Sequence, residues 1–376
     1  MMRFNTLVKH PADWMTGKGT YSAIVITSRI RLARNIKDSA FPGWAKKKDR
    51  RKLMLEILPE IESLKEMKNG FSKELSKLDS LEKQVLVERH LISREQAARG
   101  EGSAAVVDRK QSLSLMVNEE DHLRMQSICS GMHLKKAYKL LDSVDSALEK
   151  NLRYAYDGKL GYLTACPTNL GTGMRASAML HLPALVLTDQ IGQVLQAVSK
   201  IGLAVRGLFG EGTESLGHLF QISNQSTLGE PEEAIIDRLE RVINQVANHE
   251  RNARLKMLEE DGDAIVNKIC RAYGVLKHAH MFDSKEAFSK ISLIRLGADL
   301  GFFPEGVMQM CDALMMEIQP AHLQLYAGSE LEPEKRDLIR AEIIRDQLQS
   351  LDPPANSTII KNKVDGNDTE DELPIE

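Results

Sequence analysis

The stretch that decides the fold is Cys166–Ser177, "CPTNLGTGMRAS". A lone thiol stands before Pro167, two threonines and two glycines follow, and Arg175 brings a fixed positive charge. The segment before it, "KLGYLTA", reads as a strand, and "AMLHLPALVL" continues after it. Proline ends a regular element and glycine permits tight turns and close backbone approach, so the stretch is a loop leaving a strand. "GTGMRA" within it also matches a dinucleotide-type G-x-G-x-x-A, with Asp189 near the ribose-binding distance. That motif needs a clean apolar strand running straight into the glycine turn, and Pro167 and Asn169 interrupt it here. The loop therefore asks for a different chemistry, one that uses a thiol and an arginine together.

Working outward, "AIVITSRIRLARNI" (23–36) is a β-rich run studded with arginine. Residues 44–68 carry Leu53, Ile57 and Ile61 at helical spacing, and "SKELSKLDSLEKQVLVERH" (72–90) reads as a second helix. "SAAVVDRKQSLSLMVNEEDHLRM" (103–125) is two strands joined by a polar turn, and the run to Lys150 reads as helical. "LAVRGLFGEGTESLGHLFQISNQSTLG" (203–229) is strand, glycine-rich loop, strand and turn. A long charged helix follows over 232–259, then continuous helical patterning over 263–351. The fold class expected is α+β: a mixed domain over 1–255 with a sheet flanked by helices, an all-helical domain over 256–351, and a disordered acidic tail over 352–376.

Composition narrows the function. The 376 residues are 42% hydrophobic and 27% charged, as in ordinary globular proteins. A net charge of −3 gives no reason to expect a nucleic-acid partner. No apolar run reaches the roughly 20 residues of a membrane helix, and the opening lacks the pattern of a secretory signal. Cys129, Cys166, Cys270 and Cys311 are widely spaced without a C-x-x-C pair, which suits free thiols in a reducing cytoplasm rather than a zinc site. His90, His122, His181 and His218 show no metal-ligand spacing, so no protein-bound metal is expected. No G-x-x-x-x-G-K-[ST] loop and no H-R-D catalytic set are present.

Arginine placement is more informative. Arg29 and Arg31, two apart on a strand, point to the same face. Arg124, Arg175 and Arg206 each stand at a strand or loop edge. Any one of them alone reads as a surface arginine; five together suit a triphosphate, because guanidinium forks match phosphate oxygens and stay charged. Glu119, Glu120 and Asp121 are adjacent in "NEEDH", which reads either as a solvated turn or as part of a site. Glu211 lies between Gly210 and Gly212, where backbone can approach a ligand. Nothing in spacing pairs Glu120 with Glu211.

"CPTNLGT" with Arg175, "NEEDHLR", the "SRIR" pair and "ISNQSTLG" occur in the order found in the phosphagen (guanidino) kinase family, and the chain resembles that family over about residues 24–230. "VRGLFGEGTE" and the overall layout resemble more closely its bacterial protein-arginine kinases, which carry a helical C-terminal domain instead of a helical N-terminal one. The resemblance implies a catalytic domain with a largely antiparallel sheet. It puts Arg29, Arg31, Arg124, Arg175 and Arg206 around the phosphates of ATP, whose Mg²⁺ travels with the nucleotide, and His90 on the adenine side. It makes Glu120 and Glu211 the carboxylates that grip the substrate guanidinium, with Cys166 beside the reacting nitrogen. In "EKRDLIRAEIIRD", Arg336, Asp337, Arg340 and Ala341 match a phosphoarginine-binding segment; without the resemblance these residues read as a charged, solvated helix face. The resemblance also implies a homodimer, protein substrates bearing arginine, a zinc-binding activator protein and a Clp-type protease as partners, in stress response.

Two alternatives stand beside it. A small-molecule guanidino kinase acting on free arginine is disfavoured by Phe209, which stands where those enzymes carry arginine, and by the short segment before Arg29. A non-catalytic phosphoarginine-binding adaptor is disfavoured because every proposed catalytic position holds the expected residue type.

Overall fold

The computed structural model describes residues 2–15, 17, 19–207 and 215–355. Phe209 and Glu211 lie outside the described residues, as does the acidic tail from residue 356.

Among the described residues ten strands form: β1 (Val25–Arg34), β2 (Phe71–Glu74), β3 (Ala104–Val107), β4 (Leu113–Val117), β5 (Leu123–Ser130), β6 (Tyr156–Asp157), β7 (Gly161–Tyr162), β8 (Met174–His181), β9 (Leu203–Gly207) and β10 (Leu219–Asn224). Eight make one sheet in the order β2-β3-β4-β5-β1-β8-β10-β9, and β6-β7 is a separate short hairpin. Every pairing in the large sheet is antiparallel, as expected from the resemblance. Two segments read as helical are strands. Residues 72–74, with helix-forming Lys and Glu, belong to edge strand β2, which pairs with β3; residues 126–130 continue the strand begun at Leu123 as β5, between β4 and β1. Tertiary pairing overrides local preference in both.

Helices α1 (Phe4–Lys9), α2 (Lys47–Ser63), α3 (Ser80–Glu88), α4 (Arg94–Ala97), α5 (Leu134–Glu149), α6 (Pro183–Leu187) and α7 (Ile191–Lys200) surround the sheet. Asp79 and Glu82 form a reciprocal capping box that starts α3. The sheet's back face, with Ile30, Leu32, Leu115, Leu123, Met125 and Ala176, packs with α2, α5 and the next helix in one continuous core. That helix, α8 (Glu232–His278), runs 47 residues, with non-helical angles at Asp261. It leads into α9 (Ser284–Asp299), α10 (Val307–Glu317), α11 (Pro320–Ala327) and α12 (Pro333–Gln347), so the region expected to be helical is built of helices joined by short connections. On the front face, Phe71, Ala105, Val107 and Met116 at the β2–β4 end bury against α1 and α3. Among the described residues no helix is long and apolar enough to cross a membrane.

Candidate active site

The register brings all five arginines to the front face. Arg31 is directly opposite Arg175 on β8 and Gln126 on β5, two residues from Arg124. Ser177, opposite Arg29, faces Ser223 on β10; two residues along, Gln221 faces Arg206 on β9. Directly paired residues share a face, so arginines from β1, β5, β8 and β9 line one surface.

Three of these guanidinium groups are short of partners. The Nε atoms of Arg29, Arg31 and Arg175 are buried without a hydrogen-bond acceptor. Arg29 donates to Gln126 Oε1, and Arg175 Nη2 donates to Ser223 Oγ at 3.1 Å. Burial, then the charges of Arg124 and Arg175, push the Arg29 pKa down to about 10. Burial and the other four arginines push Arg31 well below its ordinary value. Like charges crowded together with open donors call for an anion. A cavity of about 470 Å³ lies over Arg29 and Arg31, bounded by His90 and Ser93 and, from the helical region, by Phe288 and Gln319. His90 tilts against Trp14 at 5.7 Å between ring centroids, and burial followed by the Arg29 charge lowers its pKa to about 4. A neutral imidazole beside an indole suits a flat base rather than a second anion. The residues present thus fit a nucleotide with its phosphates on the arginines.

The acidic segment divides its labour. Glu119 is fully buried: Ser93 Oγ donates to it at 2.6 Å, Arg124 Nη1 at 2.7 Å and the Glu120 amide at 2.6 Å. Burial favours protonation there, but Arg124 and these donors outweigh it and hold the carboxyl below its usual range. Glu120 is 41% exposed and meets Arg124 at 3.2 Å. Burial lifts its pKa, Arg124 opposes, and Asp121 and Glu119 add to the lift. Asp121 Oδ1 accepts from Asn35 Nδ2 and from the Ala165 amide, both at 2.7 Å. One buried carboxylate thereby ties the Glu120 segment to the residue preceding Cys166. Glu119, Asp121, Asn35 and Ser93 escaped the sequence reading, because three adjacent acids give no sign of which one is solvated.

The thiol loop is held from its other side. Gly171 has φ +106°, and a Cβ there would lie 2.3 Å from Thr227 O, so only glycine admits the turn of "ISNQSTLG". Thr227 Oγ1 reaches Thr168 O (3.0 Å) and Leu170 O (2.6 Å). Cys166 Sγ sits 3.0 Å from Thr168 Oγ1. Burial, then the charges of Arg206 and Arg124, lower the pKa of Arg175 nearby. The loop carrying Cys166 is thereby tied to the Glu120 segment through Asp121 and to the turn after β10 through Thr227.

Comparison with known proteins agrees with this arrangement. Residues 52–253 match the ATP:guanido phosphotransferase C-terminal catalytic domain, and 262–359 match the protein-arginine kinase McsB C-terminal domain. The protein-arginine kinase of Symbiobacterium thermophilum is 44% identical over 93% of this chain and 100% of its own length. That of Moorella thermoacetica is 46% identical over 90% and 97%. The chain belongs to the protein-arginine kinase family. It is an ATP-dependent phosphotransferase of the phosphagen-kinase fold: the crystal structure of lombricine kinase, 25% identical, superposes with a TM-score of 0.54 over 64% of this chain and 71% of that one.

Within the family's C-terminal domain, the structure separates the four residues of the "RDLIRA" segment. Arg340 is 1% exposed, donating to Ile318 O at 3.1 Å, Phe282 O at 2.7 Å and the Asp337 carboxylate. Ala341 is fully buried. Arg336 is half-buried and donates to Leu331 O at 3.1 Å. The segment is thus not a uniformly solvated helix face.

Proposed function

We propose that the chain transfers the γ-phosphoryl group of ATP to a terminal guanidinium nitrogen of arginine side chains in proteins. The observation that carries this reading is the front face itself, where arginines with unpartnered buried nitrogens stand beside a carboxylate of raised pKa and a thiol.

A guanidinium has a pKa near 13, so freeing one nitrogen of its proton at pH 7 costs on the order of 8 kcal/mol. Glu120, solvent-accessible and inclined toward protonation, is suited to align the planar group and accept that proton. Glu211 is proposed as its partner carboxylate and Cys166 as the neighbour of the reacting nitrogen. As the new phosphorus–nitrogen bond forms, the bond to the ADP oxygen breaks and the nitrogen's proton passes to the carboxylate. Arg29, Arg31, Arg124, Arg175 and Arg206 take up the phosphate charge, and Glu119 fixes the fork of Arg124. His90 and Trp14 serve the base. Mg²⁺ carried by the nucleotide neutralises further charge when bound.

The resemblance supports the finer parts of this reading. These are residues 1–255 as the catalytic domain and residues 256–351 for dimerisation and phosphoarginine binding by Arg336, Asp337, Arg340 and Ala341. A zinc-binding activator, a Clp-type protease and a role in stress response belong to the same reading. Four unpaired thiols suit a cytoplasmic setting.

The test supplies labelled ATP with free L-arginine and, in parallel, an arginine-rich unfolded protein. Acid-labile label on the protein alone is expected, since a phosphorus–nitrogen bond breaks in acid. Label on free arginine would replace this reading with a metabolic guanidino kinase, and no label on either would favour the adaptor.

A further inference from the structure

The loop that links β1 to α2 ends in the most exposed large apolar side chain of the described residues, Trp44, at 90%. The indole is not carried on a loose segment. Trp44 and Ala45 amides both donate to Phe41 O at 2.9 Å, and Arg50 Nη1 reaches Pro42 O and Ala45 O at 3.2 Å. The loop is fastened to the catalytic acids as well. His122, two residues after Glu120, lies 3.0 Å through Nε2 from Ala40 O, accepts the Ile36 amide at Nδ1 and meets Phe41 edge-on. One residue beyond Trp44 come Lys46, Lys47 and Lys48, all exposed and without an ion pair among the described residues, whereas Arg51 and Lys52 are paired with Glu101 and Glu56.

A preorganised, solvent-facing indole beside uncompensated lysines is costly to leave bare and well suited to anchor a partner. We propose that this surface docks the protein substrate: a flexible polypeptide segment whose apolar side chain covers Trp44 and whose acidic residues meet Lys46–Lys48, presenting its arginine to Glu120. The occupant follows from charge complementarity and from the tether to the Glu120 segment. This inference rests on arginine in proteins being the substrate, and it adds how a segment is chosen.

Two fluorescent peptides test it, one with a single arginine flanked by leucine and aspartates, the other with the leucine and aspartates replaced by alanine and asparagine. Anisotropy is read for the full chain and for Trp44→Ala, whose exposed position leaves folding undisturbed. Trp44→Ala is expected to weaken the acidic peptide about tenfold while leaving the control peptide and the KM for ATP unchanged. Lys46→Glu/Lys47→Glu/Lys48→Glu is expected to weaken the same peptide and abolish its salt dependence. Equal binding of both peptides to the unmodified protein, or no change with Trp44→Ala, overturns the proposal. So does a peptide-free shift in sedimentation caused by Trp44→Ala, which would assign the surface to a second copy of the chain. Because binding needs no turnover, selective docking without phosphorylation would defeat the catalytic reading and spare this one; phosphorylation without selectivity would do the reverse.

Discussion

Arg31 on the sheet's front face and the buried arginines of the helical region are the same side chain used in opposite ways. Arg295 on α9 is fully buried and saturated: Asp312 accepts at 2.7 Å, and Ser22 O and Ala23 O accept at 2.9 and 2.6 Å. Arg254 is likewise enclosed, paired with Glu250 and Asp299 and donating to His181 O. Arg31, by contrast, stands under the repulsion of four other arginines and keeps a buried Nε without an acceptor. Where the counter-charge is folded in, arginine is a bolt; where it is left out, the fold has been built around an anion that arrives later. The two adjacent glutamates repeat the division, Glu119 saturated and Glu120 open.

The strongest way to break the contrast is Arg31→Ala. We expect kcat/KM for ATP to fall by about 10³ or more, with no loss of Tm without nucleotide, because a repulsion disappears with the charge. A large drop in Tm would show that Arg31 is a structural member after all. Glu120→Gln should lower kcat by about 10²–10⁴ with nucleotide binding, read by titration, retained; full transfer by this variant would remove Glu120 from the chemistry. Arg295→Ala should destabilise by about 3–5 kcal/mol in denaturant unfolding, since Asp312 is left buried and unpaired, and an effect within experimental scatter would refute the bolt.

The smallest effect concerns acid. His90 and His218 are both lowered to about 4, first by burial, and for His90 also by Arg29. Their folded values lie below the unfolded value near 6.5, so the stability they contribute is present above that value and lost as pH falls toward about 4. Unfolding free energy measured across this window should decline, and His218→Gln should make the decline shallower.

Much of the site was legible before the structure because its chemistry is dispersed in short, ordered motifs. The two-residue spacing of Arg29 and Arg31 already placed both on one face, and the glycines of the Cys166 loop already signalled close approach. The continuation of strand β5 past Met125 was not legible: covered on both faces over much of its length, "LRMQSICS" loses the alternation that reveals a half-exposed strand. Nor were the supporting roles of Asp121 and Glu119, which depend on where Ala165 and Ser93 arrive in space. Chemistry that resides in a residue type can be read along the chain; chemistry that resides in a contact across it cannot.

Helix α8 places a different demand on this protein's history. It packs on the sheet by its first turns, and the helical region follows from its far end. Each residue of an α-helix turns the chain by about 100°, so one residue inserted before Asp261 would swing everything downstream around the axis and pull Arg295 away from Ser22 and Ala23. Exchanges on the exposed side of α8 cost little, whereas a change in its length rewrites the assembly. Along these residues, drift by substitution is open and drift by insertion is closed.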